Sequence, residues 1–258
     1  MQFVATIGAY FLKFLATTGR LSIFIGKSIY EGLQPPYYWG QFWRQLVDMG
    51  YYSLPVVGLT AVFTGMVLAL QSFTGFSRFS AESSIPTVVV LSVTRELGPV
   101  LAGLMVAGRM GAAMAAEIGT MRVTEQIDAL TTLSTNPLKY LVFPRMLAGI
   151  IVLPLLVLVA DIIGVFGGYM ISTVKLGFNA ANYMSKTIEF LEMKDVVSGL
   201  VKASVFGFII AAMGCYHGYS SQGGAQGVGT ATTNAVVSAS IMILLFNYLL
   251  TAIFFSAP

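Results

Sequence analysis

Arg95 and Glu96 are adjacent opposite charges inside a long apolar run of the sequence. If residues 85–108 form one transmembrane helix, Arg95 lies about 15 Å from one end, near the middle of the bilayer. An ionised side chain at that depth is costly unless it faces the protein interior or a wet cavity. One interpretation is a structural ion pair that locks two helices together. The other, which we favour, is a cavity that binds a polar head group, with Arg95 suited to a phosphate.

A charged amphipathic segment follows this apolar run at residues 119–133. Val123, Ile127 and Leu130 recur at helical spacing, whereas the polar residues between them lie on other faces. The pattern predicts a short cytoplasmic helix between the second and third spans. Such a helix either rests on the membrane surface or docks onto a cytoplasmic motor, and the acidity of Glu117 and Asp128 favours docking.

The sequence contains none of the motifs that would give the chain a chemistry of its own. It has no complete phosphate-binding loop, no G-x-S-x-G motif and no cluster of metal ligands. The basic residues are scattered, which argues against nucleic acid as a partner. We therefore expect no catalytic residues, no metal and no cofactor, and a transport protein driven by a partner or by an ion gradient.

The composition predicts an all-α integral membrane protein. Of the 258 residues, 56% are hydrophobic and 10% are charged, whereas soluble domains carry about 25% charged residues. A bilayer core needs about 20 apolar residues per helix. Five runs meet that length, at residues 53–76, 85–108, 146–172, 197–215 and 233–255. We expect polar connections at residues 173–196 and 216–232.

The first 52 residues have a different character from the rest of the chain. Lys13, Arg20 and Lys27 are equally spaced, which predicts a basic stripe on an amphipathic helix in the membrane surface. Residues 31–52 form an aromatic belt typical of a membrane interface. We interpret residues 1–258 as one permease domain, with an interfacial part (1–52) and a five-span core (53–258). The distribution of basic residues places the N-terminus in the cytoplasm and the C-terminus outside.

One long motif closely resembles a known family. The run L-S-V-T-R-E-L-G-P-V-L-A-G-L-M-V-A-G-R-M-G-A-A-M-A-A-E-I-G-T-M-R-V-T-E-Q-I-D-A-L, followed by N-P-L-K-Y-L-V-F-P-R and later A-T-T-N-A-V-V, is similar to the MlaE permeases. These are the membrane subunits of the ABC transporter that moves phospholipids between the inner and outer membranes of Gram-negative bacteria. The resemblance implies a multi-pass protein of the bacterial inner membrane that helps to maintain outer-membrane lipid asymmetry, with its C-terminus in the periplasm.

The resemblance also implies a set of partners. In that family the permease is a homodimer, and each copy is served by an MlaF-like ATPase, which binds the ATP, and an MlaB-like STAS protein. An MlaD-like hexameric MCE ring lies above it in the periplasm, and an MlaC-like lipid carrier visits that ring.

The family's functional residues can be transferred position by position. An outward-facing cavity at the dimer interface is lined by the first, second and fifth spans, and Arg95 and Glu96 match its polar pair. Leu68, Phe76 and Phe79 fall where apolar cavity residues are expected. The segment from Glu117 to Leu130 matches the segment that couples the permease to the ATPase, although it departs from the importer pattern E-A-A-x-x-x-G. The implied coupling residues are Glu117, Arg122, Glu125, Gln126 and Asp128.

Three other hypotheses remain open at this point. The chain could be an ion-coupled secondary transporter in which Arg95, Glu96 and Asp161 relay protons, but no internal repeat typical of such carriers is visible. It could be a permease of the same family for another lipid, such as a sterol. It could be only an anchor for a periplasmic ring, which the mid-membrane charge pair argues against.

Overall fold

A computed structural model describes residues 2–255, and in this range the chain is helical with short connections and no strand. Residue 1 and residues 256–258, the ends of the predicted 1–258 domain, lie outside the described residues. Five helical segments are long and apolar enough to cross a membrane, which confirms the predicted all-α integral membrane protein. These segments are Trp39–Phe79, Glu82–Val123, Leu138–Val174, Met193–Tyr219 and Gly224–Phe255.

The first helix, α1 (Gln2–Gly32), lies beside the bundle rather than among its five spans. Its second half packs against the main core through Leu21, Phe24 and Ile25. Its three basic side chains Lys13, Arg20 and Lys27 are exposed on another side. This division of faces is that of an interfacial helix.

The first span begins earlier than predicted. Helix α2 (Trp39–Gly50) continues through one 3₁₀ turn (Tyr51–Ser53) into α3 (Leu54–Phe76), so much of the aromatic belt is helical. Because this segment is rich in aromatic side chains, the sequence indicated an interfacial belt there and not the start of a span. It nonetheless has one buried face, formed by Phe42, Gln45 and Met49.

The second span contains two π-helical turns and extends beyond the predicted end at residue 108. Helices α4 (Ile85–Ser92), α5 (Gly98–Val106) and α6 (Ala112–Val123) are joined by π turns at Val93–Leu97 and Ala107–Gly111. Pro99 is the second residue after the first π turn, and a proline withdraws one backbone donor from the helical ladder. Such local widenings occur often at functional sites, and this one carries Arg95 and Glu96.

The predicted amphipathic helix at residues 119–133 is divided in two. Residues up to Val123 belong to α6, and the chain then breaks at Glu125, whose φ of +59° is left-handed. Helix α7 (Gln126–Thr132) follows, with Ile127 buried beneath it. A π turn (Leu138–Val142) then leads into α8 (Phe143–Val174), the main part of the third span.

Both later connections are shorter than predicted. Helix α9 (Ala180–Phe190) lies inside the supposed polar connection at 173–196, and α10 (Met193–Tyr219) begins with a capping box between Glu192 and Asp195. Helix α11 (Gly224–Phe255) starts within the supposed loop at 216–232. Its glycine-rich first turns are helical because small residues allow close packing, as where Val228 lies against Gly119 of α6.

Glycines set the closest helix contacts. A Cβ atom at Gly65 of α3 would overlap the carbonyl of Gly164 on α8, and one at Gly207 of α10 would overlap the carbonyl of Gly149 on α8. Helix α8 is thus held between α3 and α10 by direct backbone contacts. Without a hydrophobic driving force between helices in lipid, this tight packing is a main source of association.

We expect the substitution Gly65→Ala to destabilise the bundle by about 1–3 kcal/mol, because the added methyl group meets rigid backbone. Gly75→Ala on the same helix is the matched control, since its Cβ would have no neighbour within 4 Å. Thermal unfolding of both variants in detergent micelles measures the difference. Equal unfolding temperatures would show that the α3–α8 contact is looser than described.

Candidate functional site

Arg95 is paired with a residue of the fourth span. Its Nε donates a hydrogen bond to Oδ1 of Asp195 at 2.7 Å. The Asp195 side chain is completely buried, whereas that of Arg95 keeps 33% exposure. The terminal nitrogens of the guanidinium have no hydrogen bond within the part of the chain that the structure describes. The guanidinium carbon lies 4.6 Å from the centre of the Phe255 ring, on the other side.

Glu96 is paired with another residue of the fourth span, Lys202. The Nζ of Lys202 donates to Oε1 of Glu96 at 2.8 Å. It also donates to the Thr251 hydroxyl at 2.7 Å and to the Arg95 carbonyl at 2.8 Å. An ammonium group has three donors, so the fully buried Lys202 is completely satisfied.

Two residues of the fifth span also form hydrogen bonds with the Glu96 carboxylate. Nδ2 of Asn247 donates to Oε2 of Glu96 at 2.8 Å, and the hydroxyl of Thr251 lies 2.8 Å from Oε1. The Glu96 side chain nevertheless keeps 37% exposure. The buried Oδ1 of Asn247 has no hydrogen-bond partner in the described structure. One carboxylate therefore joins the second, fourth and fifth spans.

These residues form a polar network with balanced charge, which we call the charge network: Arg95, Glu96, Asp195, Lys202, Asn247 and Thr251. It carries two positive and two negative side chains, each in contact with an opposite charge. Pairing offsets the cost of burying charge in a membrane. Asp195 and Lys202 are buried, whereas the side chains of Arg95 and Glu96 keep 33% and 37% exposure.

Arg95 and Glu96 are evident from the sequence, but their partners are not. Lys202 is the residue from which the network could have been predicted, because a lone lysine inside an apolar span requires a buried partner. Asp195 was hidden by its position in a segment assigned as a polar connection, where an acidic residue is unremarkable. Its second oxygen accepts from the Glu192 backbone in the capping box, at 3.2 Å, so it ties the start of α10 to Arg95.

The predicted apolar cavity residues lie elsewhere in the single chain. Leu68 and Phe76 are partly buried and pack against a small cluster that includes Ile85 and Val89. Phe79 is 82% exposed. The charge network includes none of these three side chains, and their part in lipid binding stays a prediction.

The candidate coupling residues form two separate ion pairs. NH1 of Arg122 lies 2.8 Å from Oδ1 of Asp128, across the break between α6 and α7. Glu117 is directed instead to the third span, where its Oε2 lies 2.8 Å from NH2 of the almost buried Arg145.

Two other coupling residues mark the start of α7. Glu125 occupies the left-handed position before the helix. Nε2 of Gln126 donates to the Thr124 hydroxyl at 3.1 Å. Both side chains are exposed, and their contact with an ATPase stays a prediction.

Asp161, the third member of the alternative proton relay, is not part of the charge network. It lies on α8 with 8% exposure, and its Oδ1 has no hydrogen-bond partner among the described residues. Residues 2–255 also contain no group of three His, Cys, Asp or Glu side chains that could hold a metal ion.

Comparison with known proteins gives consistent matches over nearly the whole chain. Residues 42–253, which contain the complete charge network, match the family described as permease MlaE. The chain is 61% identical over 250 residues to a probable ABC transporter permease protein of Rickettsia felis, covering 97% of this chain and 96% of that protein. A protein with the same description from Rickettsia bellii is 60% identical, with the same coverage. The intermembrane phospholipid transport system permease protein MlaE of Haemophilus influenzae is 33% identical over 258 residues, covering 100% and 99% of the two chains.

Proposed function

Since this chain belongs to the MlaE permease family of ABC transporters, we propose that it carries phospholipids between the inner and outer membranes. It is a multi-pass transport subunit, and as an ABC transporter permease it works with a partner ATPase. The observation that carries the phospholipid proposal is the charge network, which joins Arg95 and Glu96 of the second span to the start of α10 and the last turns of α11. In this role the chain would maintain the lipid asymmetry of the outer membrane.

The charge network suits a zwitterionic or anionic phosphate head group. The terminal nitrogens of Arg95 are without hydrogen bonds in the described structure, and a guanidinium can hold a phosphate through two parallel bonds. Glu96 offers a partly exposed carboxylate to an ammonium group. Asp195 and Lys202 keep these two side chains in place when no lipid is bound.

A second copy of the chain would complete the cavity. Only 11% of the apolar stretch of the fifth span and 22% of that of the first are buried, against 61% for the fourth. The exposed large apolar residues of α11 are Val237, Ile241, Leu244, Leu245, Tyr248, Leu249 and Ile253. A homodimer that covers these faces would place Glu96, Asn247 and Thr251 beside its interface. The apolar residues Leu68, Phe76 and Phe79 would then contribute to the acyl-chain region.

The remaining partners follow from the same proposal. An MlaF-like ATPase with its MlaB-like subunit would contact the segment around Arg122, Glu125 and Asp128, which places that segment in the cytoplasm. An MlaD-like ring would cover the opposite end, where an MlaC-like carrier delivers or collects lipid. The N-terminus would then be cytoplasmic and the C-terminus periplasmic, in the bacterial inner membrane.

Family membership also decides between the earlier alternatives. The matched relatives are ABC transporter permeases, so the ion-coupled hypothesis has no support from them. No hydrogen bond or ion pair joins Asp161 to the charge network in the described structure. The cargo remains the variable to be tested, with a sterol as the competing lipid.

A reconstituted assay tests the proposed function. The permease and its co-purified ATPase are placed in liposomes that contain a fluorescent phospholipid, and transfer to the soluble carrier is followed with and without ATP. We expect a transfer rate that depends on ATP and is unchanged by a protonophore. ATP-dependent movement of a labelled sterol without movement of the phospholipid would overturn the phospholipid assignment. Loss of transfer on adding the protonophore would restore the ion-coupled hypothesis.

A further inference from the structure

A lateral cavity of about 450 Å³ lies between the second span, the third span and α9. Val90 and Thr94 form its inner wall, and Val165 and Tyr169 belong to the third span. Arg95 and Glu96 do not line it, so it is separate from the charge network. Its volume is within the range of pockets that enclose small organic ligands, about 300–1,000 Å³.

The cavity opens towards the lipid phase. Two of its lining residues, Ile162 and Phe166, are 63% and 57% exposed on the outer face of α8. Exposed aliphatic and aromatic side chains in the middle of a transmembrane helix face hydrocarbon rather than water. A molecule that enters this cavity therefore comes sideways from the bilayer.

Asp161 is the unusual residue in this apolar lining. Its side chain is more than nine-tenths buried, and its Oδ1 has no hydrogen-bond partner among the residues that the structure describes. That oxygen packs against Gly98, which does not line the cavity, so a ligand in the cavity reaches the other carboxyl oxygen, which also has no hydrogen bond in the described structure. An acceptor without a partner in apolar surroundings is unfavourable, and an intramembrane carboxyl group is a candidate functional group.

The other polar side chains of the cavity do not satisfy this carboxyl group. The hydroxyl of Thr187 donates to the backbone carbonyl of Tyr183 at 2.9 Å. Burial raises the pKa of the Tyr183 phenol, which stays neutral, and its hydroxyl makes no hydrogen bond to Asp161 in the described structure. No ion pair to Asp161 occurs within the described residues. A ligand hydroxyl in the cavity would supply a donor that the described residues do not.

We propose that this lateral cavity is a second lipid-binding site, for a single hydrocarbon chain whose polar end donates a hydrogen bond to Asp161. An unpaired carboxyl group in apolar surroundings stays neutral, so this site offers no counter-charge to the phosphate head groups that suit Arg95. A hydroxyl group is the matching chemistry, because it donates a hydrogen bond and is cheaper than a charge to bring to this depth. The two sites differ in chemistry, and this one does not depend on the proposed phospholipid transport.

Photolabelling of the full-length chain in nanodiscs tests the proposal. The probe is a long-chain primary alcohol with a diazirine in its chain, and the control probe is the methyl ether of the same molecule. We expect the alcohol to label peptides at Ile162 and Phe166 about tenfold more than the ether, as for loss of one hydrogen bond to a buried acceptor. Labelling at Leu155, which is exposed on the same helix but does not line the cavity, should be equal for both probes.

Two variants separate Asp161 from the rest of the cavity. Asp161→Leu should reduce alcohol labelling to the level of the ether, whereas Thr187→Val, which removes another cavity hydroxyl, should leave it unchanged. Competition by unlabelled alcohol, but not by unlabelled ether, gives the same answer with the unmodified protein if Asp161→Leu does not fold. Equal labelling by alcohol and ether in the unmodified protein would overturn the proposal. So would an absence of labelling at Ile162 and Phe166 by either probe.

Discussion

Replacing Lys202 by methionine is expected to lower the unfolding temperature more than any other single substitution in the charge network. The Lys202 side chain is fully buried, and its ammonium group bonds to Glu96, Thr251 and the Arg95 carbonyl. Methionine leaves these acceptors without a donor and Glu96 without a counter-charge. Breaking a buried ion pair costs about 3–5 kcal/mol, and we expect the lower end because Glu96 keeps partial exposure.

A double variant shows whether the effect belongs to the pair. Glu96→Gln combined with Lys202→Met removes both charges, so it should be more stable than Lys202→Met alone. Lys175→Met is the control for loss of a lysine. Because Lys175 is exposed, this variant should unfold at the same temperature as the unmodified protein. Thermal unfolding in the same detergent measures all four proteins. A double variant that is less stable than Lys202→Met would mean that Lys202 acts mainly through Thr251 and the backbone.

The features of the fold that depend on composition could be predicted from the sequence. The number of spans follows from apolar runs of about 20 residues, because the bilayer sets that length. Helix ends could not be predicted in the same way. Residues 224–232 contain glycine and small polar residues without charge, which are typical of a loop in water. In a membrane bundle the same composition forms a helix that approaches α6 closely.

Only half of the candidate site could be predicted from the sequence, and the reason differs from the one that applies to the helix ends. Arg95 and Glu96 are conspicuous because charge is rare inside an apolar run. Their partners lie about 100 residues further along the chain, and no local pattern specifies which buried charges meet. The π turn that contains Arg95 and Glu96 could not be predicted from the sequence either, since one extra residue in a helix does not change the composition.

The pairing of Arg95 with Asp195 means that a structural role and a lipid-binding role must be separated by the choice of substitution. Any substitution that removes the positive charge also leaves the fully buried Asp195 unpaired. Loss of transport in Arg95→Ala would therefore be ambiguous. Arg95→Lys keeps the charge for Asp195 but removes the planar group that can hold a phosphate by two bonds.

We expect Arg95→Lys to lower phospholipid transfer about tenfold while changing the unfolding temperature little, because one charge-assisted hydrogen bond to the lipid is lost. Transfer in the ATP-dependent liposome assay and unfolding in detergent are measured on the same preparations. Lys194→Ala is the matched control, because Lys194 is exposed and also lies over the Phe255 ring, at 5.4 Å. Its transfer rate should be normal.

The two measurements together decide what Arg95 does. If transfer falls and stability does not, the guanidinium acts on the lipid and Asp195 only holds it in place. If transfer is unchanged, a positive charge at this position is sufficient and the two-bond contact with phosphate is wrong. If transfer and stability fall together, Arg95 is an ion pair that joins the second and fourth spans, and the head-group site must then be sought at Glu96 and Asn247, where the fifth span meets the same network.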